Sequence, residues 1–266
     1  MAELWELQFM RHAFVAGAAL SIALAGLSFF VVLRGIAFMG VGIAHSAFGG
    51  VALGLALGLE PTLSALAFSV LVANLIGAAA RRGAFREDTV IGIFFAATMA
   101  LGVLIVGLSE GYTVDLFSYL FGSILAVGRA EVLQALVVSL LVLALLGAFF
   151  KEFLLESFDP QVAQASGLPV KLLQHLLLSA IALAVVVGIK LLGVVLASAL
   201  LVAPAATALR LSSRYQKVLA LAVLLSLACT MGGLLLAYWL DAAPGATIAL
   251  CASGLFFASL LFPQRA

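Results

Sequence analysis

The stretch FMGVGIAHSAFGGVALG, residues 38–54, is apolar enough to cross a lipid bilayer, yet it places one histidine, His45, among five glycines. Similar apolar runs follow one another along the whole chain and are separated by short polar breaks. A run of about 20 apolar residues matches the thickness of a bilayer core when it is helical. Residues 38–54 are therefore predicted to form one span of an all-α, polytopic membrane bundle.

The composition supports the same fold class for the whole chain. Of the 266 residues, 65% are hydrophobic and 9% are charged, with a mean hydropathy of +1.30. Soluble domains are about a quarter charged, so this chain has too few ionic side chains to cover a surface in water. The net charge of +1 provides no basic face for phosphates, which excludes nucleic acid as a partner and leaves membrane lipid as the surroundings.

The apolar runs predict eight or nine transmembrane helices, and we assign nine. Their predicted bounds are 12–33, 36–58, 62–80, 89–108, 130–150, 172–189, 191–209, 216–239 and 245–262. The breaks richest in Lys and Arg are 81–88, 151–171 and 210–217, and by the positive-inside rule these face the cytoplasm. The N-terminus is then outside the cell membrane and the C-terminus is cytoplasmic.

One apolar segment is too short to cross. The segment LFSYLFGSILAV, residues 116–127, follows a span that ends outside and precedes one that begins outside. It must therefore enter and leave the membrane on the external side. Irregular backbone at membrane depth needs protein or water around it, and transporters line their pathways with such segments. A short re-entrant or half helix is predicted here, with an interfacial helix as the alternative.

The longest polar break contains signals for a short cytoplasmic helix over 160–166. Asp159 is a favoured N-cap and Pro160 a favoured first helical residue. Gly167 suits the residue after the helix, and Pro169 prevents continuation. A helix of this length is unstable alone, so it must pack on the membrane domain or on a partner, and a docking role is predicted.

Two motifs of enzymes that work in or at membranes are missing from the sequence. It contains neither the H-E-x-x-H of zinc proteases nor the G-x-x-x-x-G-K-[ST] loop of nucleotide hydrolases. The chain is therefore predicted not to be an enzyme, and any ATP hydrolysis would take place on a separate subunit.

The polar groups within the spans are the remaining candidates for function. A neutral imidazole can bind a divalent metal such as zinc, but it can equally make a structural hydrogen bond between helices, and His45 fits both roles. Gly42, Gly50 and Gly54 lie near one helical face and permit close packing, against another helix or beside a permeating ion.

Several segments together resemble the permease subunit of the zinc/manganese/iron-type ABC importers. They occur in the family's order and cover nearly the whole chain: FMGVGIAHSAFGGVALG (38–54), DLFSYLFGSILAV (115–127), SFDPQVAQASGLP (157–169), GVVLASALLVAPAATALRL (193–211) and PGATIAL (244–250). The family usually has an acidic residue four positions before the histidine and a proline before the second glycine, where this chain has Val41 and Gly49.

The resemblance implies a type II ABC importer in which residues 1–266 form a single transmembrane permease domain. The expected partners are a second copy of the chain, two copies of a cytosolic ATP-binding subunit and an extracytoplasmic metal-binding protein. The expected substrate is a divalent metal ion, zinc, manganese or iron, with no permanently bound cofactor. The alternatives are an ABC permease for a metal chelate or another small solute, and a secondary transporter or channel working alone.

The resemblance also gives roles to individual residues. His45 becomes a candidate metal ligand in the translocation pathway, although the missing carboxylate weakens it. The ATPase-coupling residues would be Asp159, Pro160, Ala163 and Gly167. The candidate pathway or gate residues are Asn74, Ser118, Tyr119, Pro204 and Thr207.

Overall fold

The computed structural model describes residues 8–83, 86–108 and 127–261, and every regular element within these ranges is an α-helix. We number the helices in chain order: α1 Gln8–Arg34, α2 Met39–Ala56, α3 Pro61–Arg82, α4 Glu87–Leu108, α5 Arg129–Ala148, α6 Phe150–Phe158, α7 Pro160–Ala165, α8 Val170–Leu192, α9 Val194–Leu200, α10 Ala203–Leu211, α11 Tyr215–Leu240 and α12 Pro244–Leu260. The all-α fold class predicted from the sequence is confirmed.

Within the described ranges, eight stretches are long and apolar enough to cross a membrane. They comprise α1 from Met10, α2, α3, α4, α5, α8, α9 with α10, and α11, while α12 is a shorter apolar helix. The predicted total of eight to nine spans therefore agrees with the structure. The half helix predicted at 116–127 lies outside the described residues, apart from Val127.

Three boundaries differ from the predicted ones. The turn predicted at Gly188–Leu192 lies instead at Gly193, whose φ of +86° is a conformation that glycine adopts readily. The span predicted at 191–209 is broken between α9 and α10, since Pro204 cannot donate the hydrogen bond that would continue the helix. The break predicted to begin at Lys151 contains α6, whose Phe153 is fully buried.

The chain divides into two compact units. The first unit is formed by the described parts of Met1–Leu33, Phe117–Ala148 and Val187–Ala266. Within it, the Ser226 hydroxyl donates to the Ser21 carbonyl over 3.0 Å and so ties α11 to α1. The second unit comprises the described parts of Arg34–Leu116 and Phe149–Val186, and it contains His45 and α7. That the chain acts as one permease domain stays a prediction.

Candidate functional site

His45 lies in the middle of α2 and is held in one tautomer. Its Nδ1 is 2.9 Å from the Val41 carbonyl oxygen one turn earlier. A carbonyl can only accept, so Nδ1 carries the proton and Nε2 keeps its lone pair. Among the described residues, no hydrogen bond reaches Nε2. Histidines that bind metals usually anchor one ring nitrogen in this way, and the structure thus presents Nε2 as a potential ligand.

The helix packed against α2 also fixes the orientation of the His45 ring. Phe95 of α4 meets the imidazole edge to face, with ring centroids 4.6 Å apart at 74°. One residue further along α2, the Ser46 hydroxyl lies 3.1 Å from the Thr98 hydroxyl of α4. Both hydroxyls are buried, and such polar contacts are directional, so they define how α2 and α4 pack together.

A groove of about 510 Å³ opens beside this part of α2 and α4. Its lining is mostly apolar and includes Val41 and Phe95, while Asp88 in the first turn of α4 supplies a carboxylate. In the part of the chain that the structure describes, no three His, Cys, Asp or Glu side chains are close enough to hold a metal ion together. The described residues thus offer a metal a single imidazole at His45, which makes it a weak ligand.

The three glycines predicted on one helical face have two different neighbours. A Cβ at Gly42 would lie 2.8 Å from Ile91 Cγ2 of α4. A Cβ at Gly50 would lie 2.8 Å from Ala65 Cα, and one at Gly54 would lie 2.6 Å from Ser64 Cβ, both in α3. At these three positions, α2 therefore approaches α4 through Gly42 and α3 through Gly50 and Gly54.

The other predicted pathway residues are dispersed. The Asn74 amide nitrogen donates to the Val70 carbonyl and to the Ser179 hydroxyl, and its oxygen accepts from His175 Nδ1. Pro204 begins α10, and the Thr207 hydroxyl donates to the Ala203 carbonyl over 2.8 Å within that helix. Both belong to the first unit, whereas His45 belongs to the second. Ser118 and Tyr119 lie outside the described residues.

The short helix predicted on the cytoplasmic side is present as α7, with the expected signals at both ends. Asp159 Oδ1 accepts from the amides of Gln161 and Val162 at 2.9 and 3.0 Å. At the other end, the amides of Gly167 and Leu168 donate to the carbonyls of Gln164 and Ala163, as in a Schellman motif.

The surface of α7 is divided between a packed side and an exposed side. Ala163 is fully buried. Val162 is 49% exposed, and Phe158 just before the helix is 66% exposed. The segment from Phe158 to Val162 thus carries apolar side chains that are exposed.

The sequence did not reveal the polar contacts made by α6 and α8, the helices that precede and follow α7. Arg34 at the end of α1 forms an ion pair with Glu156 of α6, and these side chains are 7% and 5% exposed. In the first turns of α8, Gln174 and His175 contact Arg81 at the end of α3. The sequence does show charged residues at the ends of the spans, which indicates that ion pairs could form there, but it does not show which residues pair.

Among the described residues, eight apolar stretches are long enough to cross a membrane, and α2 carries an imidazole with one open ring nitrogen. These features are typical of a membrane transport protein. The chain belongs to the ABC 3 transport family, whose model matches residues 6–263. The members of that family are transport permease subunits, so the chain is not itself an enzyme.

Known proteins are similar over almost the full chain. The manganese transport system membrane protein MntC of Listeria monocytogenes is 33% identical over 98% of this chain and 93% of that protein. The high-affinity zinc uptake system membrane protein ZnuB of Haemophilus influenzae is 32% identical over 97% of this chain and 99% of that protein. A solved structure of PsaBC from Streptococcus pneumoniae in complex with Fab matches with a TM-score of 0.85 and 32% identity, covering 98% of this chain and 96% of that one.

Proposed function

We propose that the chain is the membrane permease of an ATP-driven importer that carries a divalent metal ion, manganese, zinc or iron, into the cytoplasm. Two of the relatives are named for manganese and zinc transport. The observation in the chain itself that supports a metal is the tautomer of His45, which leaves Nε2 free to bind. A lone ligand binds loosely, which suits a pathway because a tightly held ion cannot leave.

The proposed importer has two copies of this chain, two cytosolic ATP-binding subunits and an extracytoplasmic binding protein. The ATP-binding subunit would dock on α7, where Val162 and Phe158 offer exposed apolar side chains. Closure of the two ATPase subunits would move α7 and open the pathway to one side of the cell membrane and then to the other. The proposed pathway or gate residues are Asn74, Ser118, Tyr119, Pro204 and Thr207.

A second candidate substrate is a metal chelate or another small solute. Val41 favours this substrate. In the family, an acidic residue at this position lies one helical turn from the histidine, so that both side chains can bind one metal ion, and here that carboxylate is missing. A carrier that works without an ATPase is disfavoured by membership of the ABC 3 transport family.

Uptake into vesicles tests the proposal. The chain is reconstituted with its cognate ATPase and binding protein, and ATP-dependent accumulation of manganese, zinc and iron is measured. We expect uptake of at least one metal and a reduced rate in His45→Ala. The matched control is His12→Ala. His12 is also a histidine within a predicted span, but it lies in the first unit, where its Nδ1 forms a hydrogen bond with the Val127 carbonyl oxygen.

The outcomes separate the hypotheses. No ATP-dependent uptake of any of the three metals by the wild-type complex would reject the metal importer. Uptake that is equal in His45→Ala and wild type would keep the importer but remove His45 from the pathway.

A further inference from the structure

Two groups of polar residues, which we name the cytoplasmic clamps, hold the chain on either side of α7. The N-terminal clamp consists of Arg34, Glu156 and Ser157. The C-terminal clamp consists of Asn74, Arg81, Glu87, Gln174 and His175. All of these residues belong to the second compact unit, which also contains α7 and His45.

The N-terminal clamp joins α6 to the end of α1, just before α2 begins. Arg34 pairs with Glu156, and its Nε also donates to the Ser157 hydroxyl over 3.1 Å. Asp159 alone separates α6 from α7, and the four residues 35–38 alone separate Arg34 from α2. A displacement of α7 therefore reaches the helix that bears His45 through one buried ion pair.

The C-terminal clamp joins the start of α8 to α3 and α4. Gln174 accepts from Arg81, and its amide nitrogen donates to Glu87 Oε1 over 3.3 Å. Arg81 can only donate, so His175 Nε2, 3.1 Å away, accepts, and the opposite ring nitrogen donates to Asn74 Oδ1. Glu87 is the first residue of α4, the helix whose Phe95 contacts the His45 ring.

α7 itself packs on the rest of the unit through few buried side chains. Ala163 is its fully buried side chain, and the remaining residues from Gln161 to Gly167 are exposed. By contrast, Glu156 and Gln174, which flank it, are both buried and hydrogen-bonded or ion-paired. Buried polar contacts cannot slide as apolar surfaces can, since a displaced partner leaves an unpaired group at a high free-energy cost.

Resting on the importer function proposed above, we propose that the cytoplasmic clamps are the positioning residues that convey the movement of α7 to α2 and α4. The N-terminal clamp acts on α2 and the C-terminal clamp on α4, so both helices that surround His45 move with α7. Loss of a clamp then leaves ATP hydrolysis intact while fewer ions cross for each ATP hydrolysed.

The test measures ATP hydrolysis and metal uptake in the same vesicles of the reconstituted complex. The double variant Arg34→Met with Glu156→Leu removes both charges of the ion pair, a change that proteins often tolerate, and Glu87, on which the Arg34 charge also acts, keeps Arg81 nearby. In the C-terminal clamp, Gln174→Met removes the hydrogen bonds to Arg81 and Glu87 and keeps the volume. The matched controls are Lys151→Gln and Lys171→Gln, which change exposed residues of α6 and α8.

We expect uptake per ATP to fall by about two- to thirtyfold in each clamp variant, the size typical of residues that carry coupling, and to stay unchanged in both controls. An unchanged ratio in both clamp variants would overturn the inference. A proportional loss of both activities would also overturn it, because poor folding lowers the number of complexes and not the ratio. Failure of the wild-type complex to transport would instead reject the importer function.

Discussion

Gly50 lies where α2 crosses α3 with no room for a side chain. A Cβ added there would be 2.8 Å from Ala65 Cα and 3.0 Å from the Ser64 carbonyl oxygen. Both atoms are backbone, so the helices themselves would have to separate. We predict that Gly50→Ala destabilises the protein by about 1–3 kcal/mol, as overpacking does, and lowers the midpoint of thermal unfolding in detergent.

Gly232 of α11 provides the matched control for this prediction. A Cβ at that position would meet nothing within 4 Å. Because alanine favours a helix over glycine by about 1 kcal/mol, Gly232→Ala should leave the midpoint unchanged or raise it slightly. Equal midpoints for Gly50→Ala and wild type would show that α2 and α3 do not pack as closely as described.

His45 illustrates how far a single residue can be interpreted from sequence. It stands out because an ionisable group in an apolar span is costly. The sequence left a hydrogen bond between helices and a metal ligand as alternatives, whereas the structure shows a hydrogen bond within α2 from one ring nitrogen and leaves the other open. This bond is compatible with a ligand role, and the tautomer depends on a backbone carbonyl that no motif reveals.

At the scale of elements, α7 depends on its caps because a helix of six residues has few hydrogen bonds of its own. Replacing an N-cap aspartate by alanine costs about 1 kcal/mol, whereas asparagine caps equally well. We predict that Asp159→Ala speeds hydrogen exchange at the Gln161 and Val162 amides and weakens binding of the ATP-binding subunit. Asp159→Asn should behave like wild type in both measurements, and similar losses in the two variants would contradict a capping role.

The ends of α7 were predictable because the signals are local, but α6 was not. Lys151, Glu152 and Glu156 made its sequence resemble a polar break. In the structure, Phe153 is buried and Glu156 is neutralised by Arg34, which lies 122 residues earlier in the sequence. Pairing over such a distance decides whether a charged segment packs as a helix, and a single sequence carries no record of it.

At the scale of the whole molecule, the distribution of charge predicts the orientation. Most Lys and Arg residues lie in the breaks assigned to the cytoplasm, and Lys190, at a turn assigned to the outside, lies 3.5 Å from Glu131. The rule counts Lys and Arg, and acidic partners contribute little, so Lys190 remains its exception on the external side.

Labelling of single cysteines tests the orientation in intact cells. Cys229 and Cys251 are first replaced by alanine. A single cysteine is then introduced at an exposed position, either before α11 as Arg214→Cys or after α11 as Ala242→Cys. Because α11 separates the two positions and Arg214 lies in a basic break, we predict that a membrane-impermeant maleimide labels Ala242→Cys in intact cells. Arg214→Cys should react only after permeabilisation, and the reverse pattern would invert the topology and place α7 outside the cell, away from any ATP-binding subunit.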